Sequence, residues 1–387
     1  MSRIYLDHAA TTPMVPEAVE AMTRELTRVG NASSLHASGR SARRVVEESR
    51  EAITAQIGAS PAELIFTSGG TEADNLAIKG AFWSGADIGR RRVITSTVEH
   101  HAVLDSVAWL EHAASAEVSY VPVDSAGRTD LDALTEAVDS RTALVSVMWG
   151  NNEVGTLQPV RQIAAAAAEH GAISHSDAVQ AVGHIEVDFA ASGLDMLSFT
   201  AHKLGGPYGI GALVARRELR LAPILHGGGQ ERDIRSGTLD VAATAGFAAA
   251  LEVAARTRAH EEQRVRQLRA NLISSVLAAV PSAVLYGPTS EHDGLPGVAN
   301  IGFPGCSADA ILMLLDSAGI DCSTGAACSA GVSQPSHVLL AMGCSEADAR
   351  SALRFSLGHT STPDDVASLA AALPEAVHRA KAAAAFA

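Results

Sequence analysis

Ser198-Phe-Thr-Ala-His-Lys-Leu-Gly-Gly-Pro207 carries an apolar run into a glycine-rich turn, and Ile210-Gly-Ala-Leu-Val-Ala215 follows as a second apolar run. Upstream, Leu64-Ile-Phe-Thr67 precedes a helical pattern beginning near Thr71, and Arg92-Val-Ile-Thr-Ser96 precedes another near His101. Ala143-Leu-Val-Ser-Val-Met-Trp149 leads into Gly150-Asn-Asn-Glu153, and Ala172-Ile-Ser-His-Ser-Asp177 into a short helical stretch. Apolar runs alternating with helical patterns predict βαβ units, hence an α/β fold with a mainly parallel sheet and helices on both faces. Ligands of such sheets gather at the carboxyl ends of the strands. Residues 240–280 read as one long helix, connecting to a second, smaller αβ layer in which Ala308-Asp-Ala-Ile-Leu-Met-Leu-Leu-Asp316 is helical.

The turn after Phe199 also holds a scarce residue. The lysines of the chain are Lys79, Lys203 and Lys381, and arginine carries nearly all the remaining positive charge. A lysine where a strand gives way to a loop, beside hydroxyls and a histidine, is placed for Schiff-base chemistry, which arginine cannot perform. Composition agrees with an enzyme: 387 residues, 47% hydrophobic and 19% charged, suit a folded globular chain. A net charge of −14 speaks against nucleic-acid partners. No apolar run nears the roughly 20 residues that cross a bilayer, and Asp7 and His8 interrupt the N-terminus, so a cytoplasmic location is expected. Cys306, Cys322, Cys328 and Cys344 form no Cys-x-x-Cys pair, and no His/Cys cluster has zinc-finger spacing.

Thr67-Ser-Gly-Gly-Thr-Glu-Ala-Asp-Asn75 sets Gly70 and Thr71 at a strand-to-helix turn, either a phosphate site or a plain helix N-terminus. Asp177 ends a buried strand with Gln180 three residues on. It is either a helix N-cap or the partner of a buried cation such as a pyridinium nitrogen. His100 opens a helix, and could equally stack on a flat cofactor and move protons. Asn152 and Glu153 fit a ligand-contacting loop or a simple turn. Arg354, inside the apolar run Leu353-Arg-Phe-Ser-Leu-Gly358, suits a substrate carboxylate or a structural ion pair. Phosphate cup, ring-nitrogen acid, stacking imidazole and imine lysine come in the order that a pyridoxal phosphate enzyme needs. Cys328 lies in the small-residue run Ser323-Thr-Gly-Ala-Ala-Cys-Ser-Ala-Gly-Val-Ser333, which predicts a mobile loop and a thiol usable as a nucleophile.

Tyr5-Leu-Asp-His-Ala-Ala-Thr-Thr-Pro13, Gly30-Asn-Ala-Ser-Ser-Leu-His36, Thr67–Asn75, Ala201-His-Lys203, Arg235-Ser-Gly-Thr238 and Arg354-Phe-Ser-Leu-Gly358 together resemble the cysteine desulfurases of the NifS/IscS type. These belong to the class V aminotransferase group of fold-type I pyridoxal phosphate enzymes. The resemblance spans nearly the whole chain. It implies a large cofactor domain over 15–258 and a small domain, formed by 1–14 and 259–387, that carries the cysteine loop. Lys203 would hold the cofactor and move the Cα proton, Asp177 would pair with its ring nitrogen, and His100 would stack on the ring. Asn152 and Gln180 would touch its phenolic oxygen. Gly70, Thr71, Thr200 and His202 would hold the phosphate, joined by Thr238 of the other subunit of a homodimer. Arg354, Asn31 and Asn152 would bind the carboxylate of L-cysteine. Cys328 would take the sulfur as a persulfide, releasing L-alanine. The sulfur would pass to an acceptor protein, a scaffold or a sulfur carrier, for iron–sulfur cluster assembly or for thiolation of tRNA or cofactors. Relatives that feed a scaffold often carry a longer C-terminal tail than Arg379-Ala-Lys-Ala-Ala-Ala-Ala-Phe-Ala387, and the acceptor stays open.

Overall fold

A computed structural model describes residues 3–325 and 334–384. Among these residues, seven strands form the main sheet. They are β1 (Leu64–Thr67), β2 (Arg92–Ser96), β3 (Glu117–Val121), β4 (Thr142–Ser146), β5 (Ile173–Asp177), β6 (Met196–Thr200) and β7 (Gly211–Ala215). Their spatial order is β1-β7-β6-β5-β4-β2-β3. β3, β2, β4, β5 and β6 pair in parallel, whereas β7 runs antiparallel to both β6 and β1. The fold is α/β with a mainly parallel sheet, as its alternating runs predict.

Alternation along each strand splits the core into two layers. Leu64, Phe66, Leu197, Phe199, Ala212 and Val214 pack on one face. Ile65, Met196, Leu213 and Ala215 pack on the other, under helices α1 (Gly70–Ala86) and α2 (His101–Ala114). Both faces being covered, the interior strands β4 and β6 are buried throughout, whereas the edge strand β3 exposes Glu117 and Tyr120.

Helix α3 (Val241–Ala279) is 39 residues long, about 58 Å at 1.5 Å per residue. The Asp240 side chain caps it by accepting from Ala243 N at 2.9 Å. Its first half sends Phe247, Ala250 and Leu251 into the main core. Its second half sends Val265, Leu268, Leu272 and Val276 beneath a three-stranded antiparallel sheet of β8 (Val284–Tyr286), β9 (Val298–Gly302) and β10 (Ala352–Ser356).

Two local expectations need correcting. The segment after Asp177 is a set of turns through His184 rather than a helix. Gly183 holds φ of +85° there, where a Cβ would come within 2.9 Å of Leu204 Cβ. The run Ala143–Trp149 ends as a strand at Ser146, because Met148 N turns to the Glu99 carboxylate. No helix among the described residues is long and apolar enough to cross a membrane.

Candidate active site

The carboxyl ends of β1, β5 and β6 meet the N-terminal segment and β10 around a cavity of about 1180 Å³, counting the space at its mouth. Ala9, Ala10, Gly70, Thr71, His100, Asn152, Asp177, Gln180, Thr200, His202, Lys203 and Arg354 all contribute to its wall. Most of the residues singled out from the sequence therefore converge on one space.

Lys203 leaves the end of β6 through a short 3-10 turn, and its Nζ donates to the carbonyls of Ala9 (2.6 Å) and Ala10 (2.8 Å). Burial and then the nearby Arg354 charge press the ammonium down to about 8. A lysine so placed can shed its proton near neutral pH. Asp177 ends β5, and its Oδ1 accepts from Val179 N at 2.9 Å. Burial raises its pKa, opposed by His100 and Lys203. No ion pair of its own is formed among the described residues. A buried carboxylate without a bonded cation fits a cationic ring nitrogen.

His100 caps α2, its Nδ1 accepting from Ala102 N at 3.1 Å, so that nitrogen is the lone-pair side of the neutral ring. Burial lowers its pKa against the pull of Asp177. Its ring stays open to the cavity. Gly70 begins α1, and a Cβ there would meet Val179 Cγ2 at 2.8 Å. Only glycine lets the helix start lie this close to the turn after β5. The unpaired N–H groups of that first turn, with Thr71 exposed beside them, make an anion cradle.

Thr200 donates to Ile210 O at 2.9 Å, leaving its oxygen as the acceptor side. His202 meets Thr11 Oγ1 at 3.3 Å and stacks on Tyr208, with ring centroids 5.7 Å apart. Burial pushes it down to about 4, so it is neutral at pH 7. Gln180 donates to Ala9 O at 2.9 Å.

Arg354 makes a structural ion pair at the cavity wall. One guanidinium nitrogen donates to Asp7 Oδ1 at 2.7 Å and another to Asn152 O at 3.0 Å, while its buried Nε has no partner. The ion pair exists, yet the group still lines the cavity. Asn31 and Thr238 are exposed and absent from this wall. Asn31 Oδ1 accepts from Ser33 N at 2.8 Å, closing its own turn. Cys328 lies outside the described residues.

The sequence reading passed over several wall residues. Asp74, His101, Ser323, Gly325 and His337 line the cavity beside the Glu153 already noted. Asp74 is one helical turn after Gly70, a spacing that could have placed it on the same face. The Ala9 and Ala10 carbonyls carry no side-chain signal at all.

The donor set fits pyridoxal phosphate: an anion cradle, a cation-seeking acid, a flat imidazole, and a lysine near neutrality share one cavity. Residues 4–369 match the family model described as aminotransferase class-V. An IscS-like cysteine desulfurase of Mycobacterium tuberculosis is 54% identical over 384 residues, covering 98% of each chain. A solved structure described as a NifS-like protein superposes with a TM-score of 0.88 at 33% identity, over 100% of both chains. Another, described as SspA in complex with cysteine, gives a TM-score of 0.80 at 33% identity, over 92% of this chain and 98% of that one.

Proposed function

The chain belongs to the aminotransferase class-V family, and from that premise we propose how its cavity works. The protein is a pyridoxal phosphate-dependent cysteine desulfurase, converting L-cysteine to L-alanine for iron–sulfur cluster assembly. The observation that carries the residue roles is the meeting of Lys203, Asp177, His100 and Arg354 around one cavity.

Pyridoxal phosphate, when bound, supplies an electron sink that weakens the bond between the substrate's Cβ and sulfur. Lys203 holds it and moves the Cα proton, for which a pKa near 8 is well matched. Asp177 keeps the ring nitrogen charged, and His100 covers the ring. Gly70, Thr71, Thr200 and His202 hold the phosphate, and Asn152 and Gln180 face the phenolic oxygen. Arg354 takes the substrate carboxylate at the cavity wall, with Asp7 fixing the guanidinium through a 2.7 Å bond. Asn31 completes that grip.

Cys328 receives the sulfur. Its thiol and L-cysteine become a persulfide and L-alanine, so atoms and electrons balance without an outside oxidant. Gly325 and His337, on either side of it in the chain, line the same cavity, which supports this role. A homodimer in the cytoplasm, with Thr238 crossing to the partner's phosphate, completes the reading. So do a large domain over 15–258 with a small one over 1–14 and 259–387, and an acceptor protein that takes the sulfur onward for clusters or for thiolation of tRNA or cofactors.

Mass spectrometry after addition of L-cysteine tests it: one extra sulfur should sit on Cys328, and Cys328→Ala should lose it with alanine formation. Lys203→Ala should purify without the cofactor's colour and lose about 10³-fold in rate. Full alanine production by Cys328→Ala would refute the desulfurase mechanism.

A further inference from the structure

A single turn of the main αβ layer, residues 151–154, touches both Arg354 and the chain on either side of Cys328. Asn151 fixes the turn. Its Oδ1 accepts from Glu153 N at 2.8 Å and Val154 N at 2.9 Å, and its Nδ2 donates to Val98 O at 2.9 Å. From the three-stranded sheet, Arg354 donates to Asn152 O at 3.0 Å and Asn300 Nδ2 to Glu153 O at 3.3 Å. The turn is thus gripped from both sides, and the buried Glu153 side chain leaves it from a fixed base.

The Glu153 carboxylate meets two separate stretches of chain. Ser336 Oγ donates to its Oε2 at 2.5 Å, short as bonds from a hydroxyl to a carboxylate are. The same Ser336 oxygen accepts from Leu339 N at 3.1 Å, so the bond also starts the short helix His337–Ala341. Gly325 passes over Oε2 as well: a Cβ there would stand 3.1 Å from it, at a φ of +82° that glycine adopts freely. Before Gly325, Ser323 Oγ accepts from Gly325 N at 3.1 Å, and Ser323 and Arg354 exchange backbone bonds of 3.1 and 2.7 Å. After Ser336, His337 Nε2 stands 2.9 Å from Glu99 O. Glu153, Ser323, Gly325, His337 and Arg354 all share the wall of the active-site cavity.

Cys328 stands three positions after Gly325 and eight before Ser336. Three residues of any polypeptide span at most about 11 Å, so the place where Gly325 is held limits which atoms of the cavity the thiol can meet. Glu153 bounds that place and bonds Ser336 through the same oxygen. Through Asn152 O, the turn that carries Glu153 also holds Arg354. Donor and acceptor of the sulfur are thereby referred to one short piece of backbone.

We propose that Glu153 is a positioning residue for sulfur transfer: through Ser336 and Gly325 it fixes both approaches to Cys328 against the turn that seats Arg354. The inference rests on reading Cys328 as the sulfur acceptor.

Single-turnover persulfide formation in the holoenzyme, followed by mass spectrometry across L-cysteine concentrations, tests it. Glu153→Ala should slow the saturated rate about tenfold, as loss of a hydrogen bond to a charged group would, with half-saturation within about twofold of wild type. Ser336→Ala should slow it comparably, and the double variant no further than either alone. Glu153→Gln, which can still accept from Ser336, should recover most of the rate. Amide exchange in Glu153→Ala should quicken in residues 323–325 and 336–341 and stay unchanged in β5 and β6. A saturated rate left intact in either single variant, or losses that add in the double variant, overturns the proposal. Should Glu153→Ala not fold, Ser336→Ala decides through the same rate and the same exchange. Failure of the underlying reading looks different: Cys328→Ala would then form alanine at the full rate, whatever the Glu153 and Ser336 variants do.

Discussion

Arg50 and Asp177 are both buried charged residues of the main αβ layer, and they are treated in opposite ways. Arg50 reaches both oxygens of Glu231, at 3.0 and 2.7 Å, and donates a further bond to Leu64 O. Glu231 in turn accepts from Phe66 N at 2.8 Å. Every charge of that pair is answered within the chain, next to the first strand of the sheet. At the far end of β5, Asp177 has one backbone donor and no bonded cation among the described residues, and its charge helps to raise the carboxyls of Asp74 and Glu99. Burial of charge is a structural device in the first place and an invitation to a ligand in the second.

The largest effect should come from breaking the satisfied pair. Glu231→Gln leaves Arg50 with Glu47, 3.2 Å from its Nε, as its remaining carboxylate and should cost about 3 kcal/mol in denaturant unfolding, while the cofactor's absorption stays as it was. Asp177→Asn should do the reverse. Cofactor affinity should drop at least about thirtyfold, and the cofactor-free protein should melt higher, because a buried acid has been neutralised. An Asp177→Asn protein that melts lower and binds normally would erase the distinction between the two regions.

Glu99 sharpens the comparison through pH. Burial pushes its carboxyl up to about 8 from an ordinary 4.5, against bonds from Ser96 and Met148 N. The folded state therefore binds more protons than the unfolded one between these values. Its contribution is full below about pH 4.5 and is lost as pH climbs through 8. Urea midpoints from about pH 5 to pH 8 should fall in the wild type and flatten in Glu99→Gln. Glu231→Gln should leave that slope alone. The smallest effect is on Lys203: the rate at which cofactor-free protein regains colour should rise through about pH 8, as the amine sheds its proton. In Arg354→Gln that rise should move to higher pH, because the Arg354 charge ranks second only to burial in lowering the amine.

Strand ends were the legible part of the site. Asp177 and Lys203 each close an apolar run, and the helix starts at Gly70 and His100 follow such runs, so one dimension of sequence suffices to find them. Asp74 was harder, because its burial depends on which face of α1 turns toward β5 and β6, and the helix is apolar almost all round. The fixing of Arg354 by Asp7 joins residues 347 positions apart, a distance that no local periodicity encodes. Asn31 and Thr238 carry recognisable motifs, yet a single chain leaves them at its surface. The antiparallel course of β7 was likewise invisible, since Gly211-Ala-Leu-Val-Ala215 reads the same in either direction.

Lys203 rests on the carbonyls of Ala9 and Ala10, and Arg354 holds Asp7, so the first turn of the polypeptide is clamped between its middle and its last strand. A chain still emerging from the ribosome can lay down all seven strands of the main sheet and yet lack a finished pocket. The wall of that pocket closes only once the final strand has been synthesised and has caught the beginning of the same molecule.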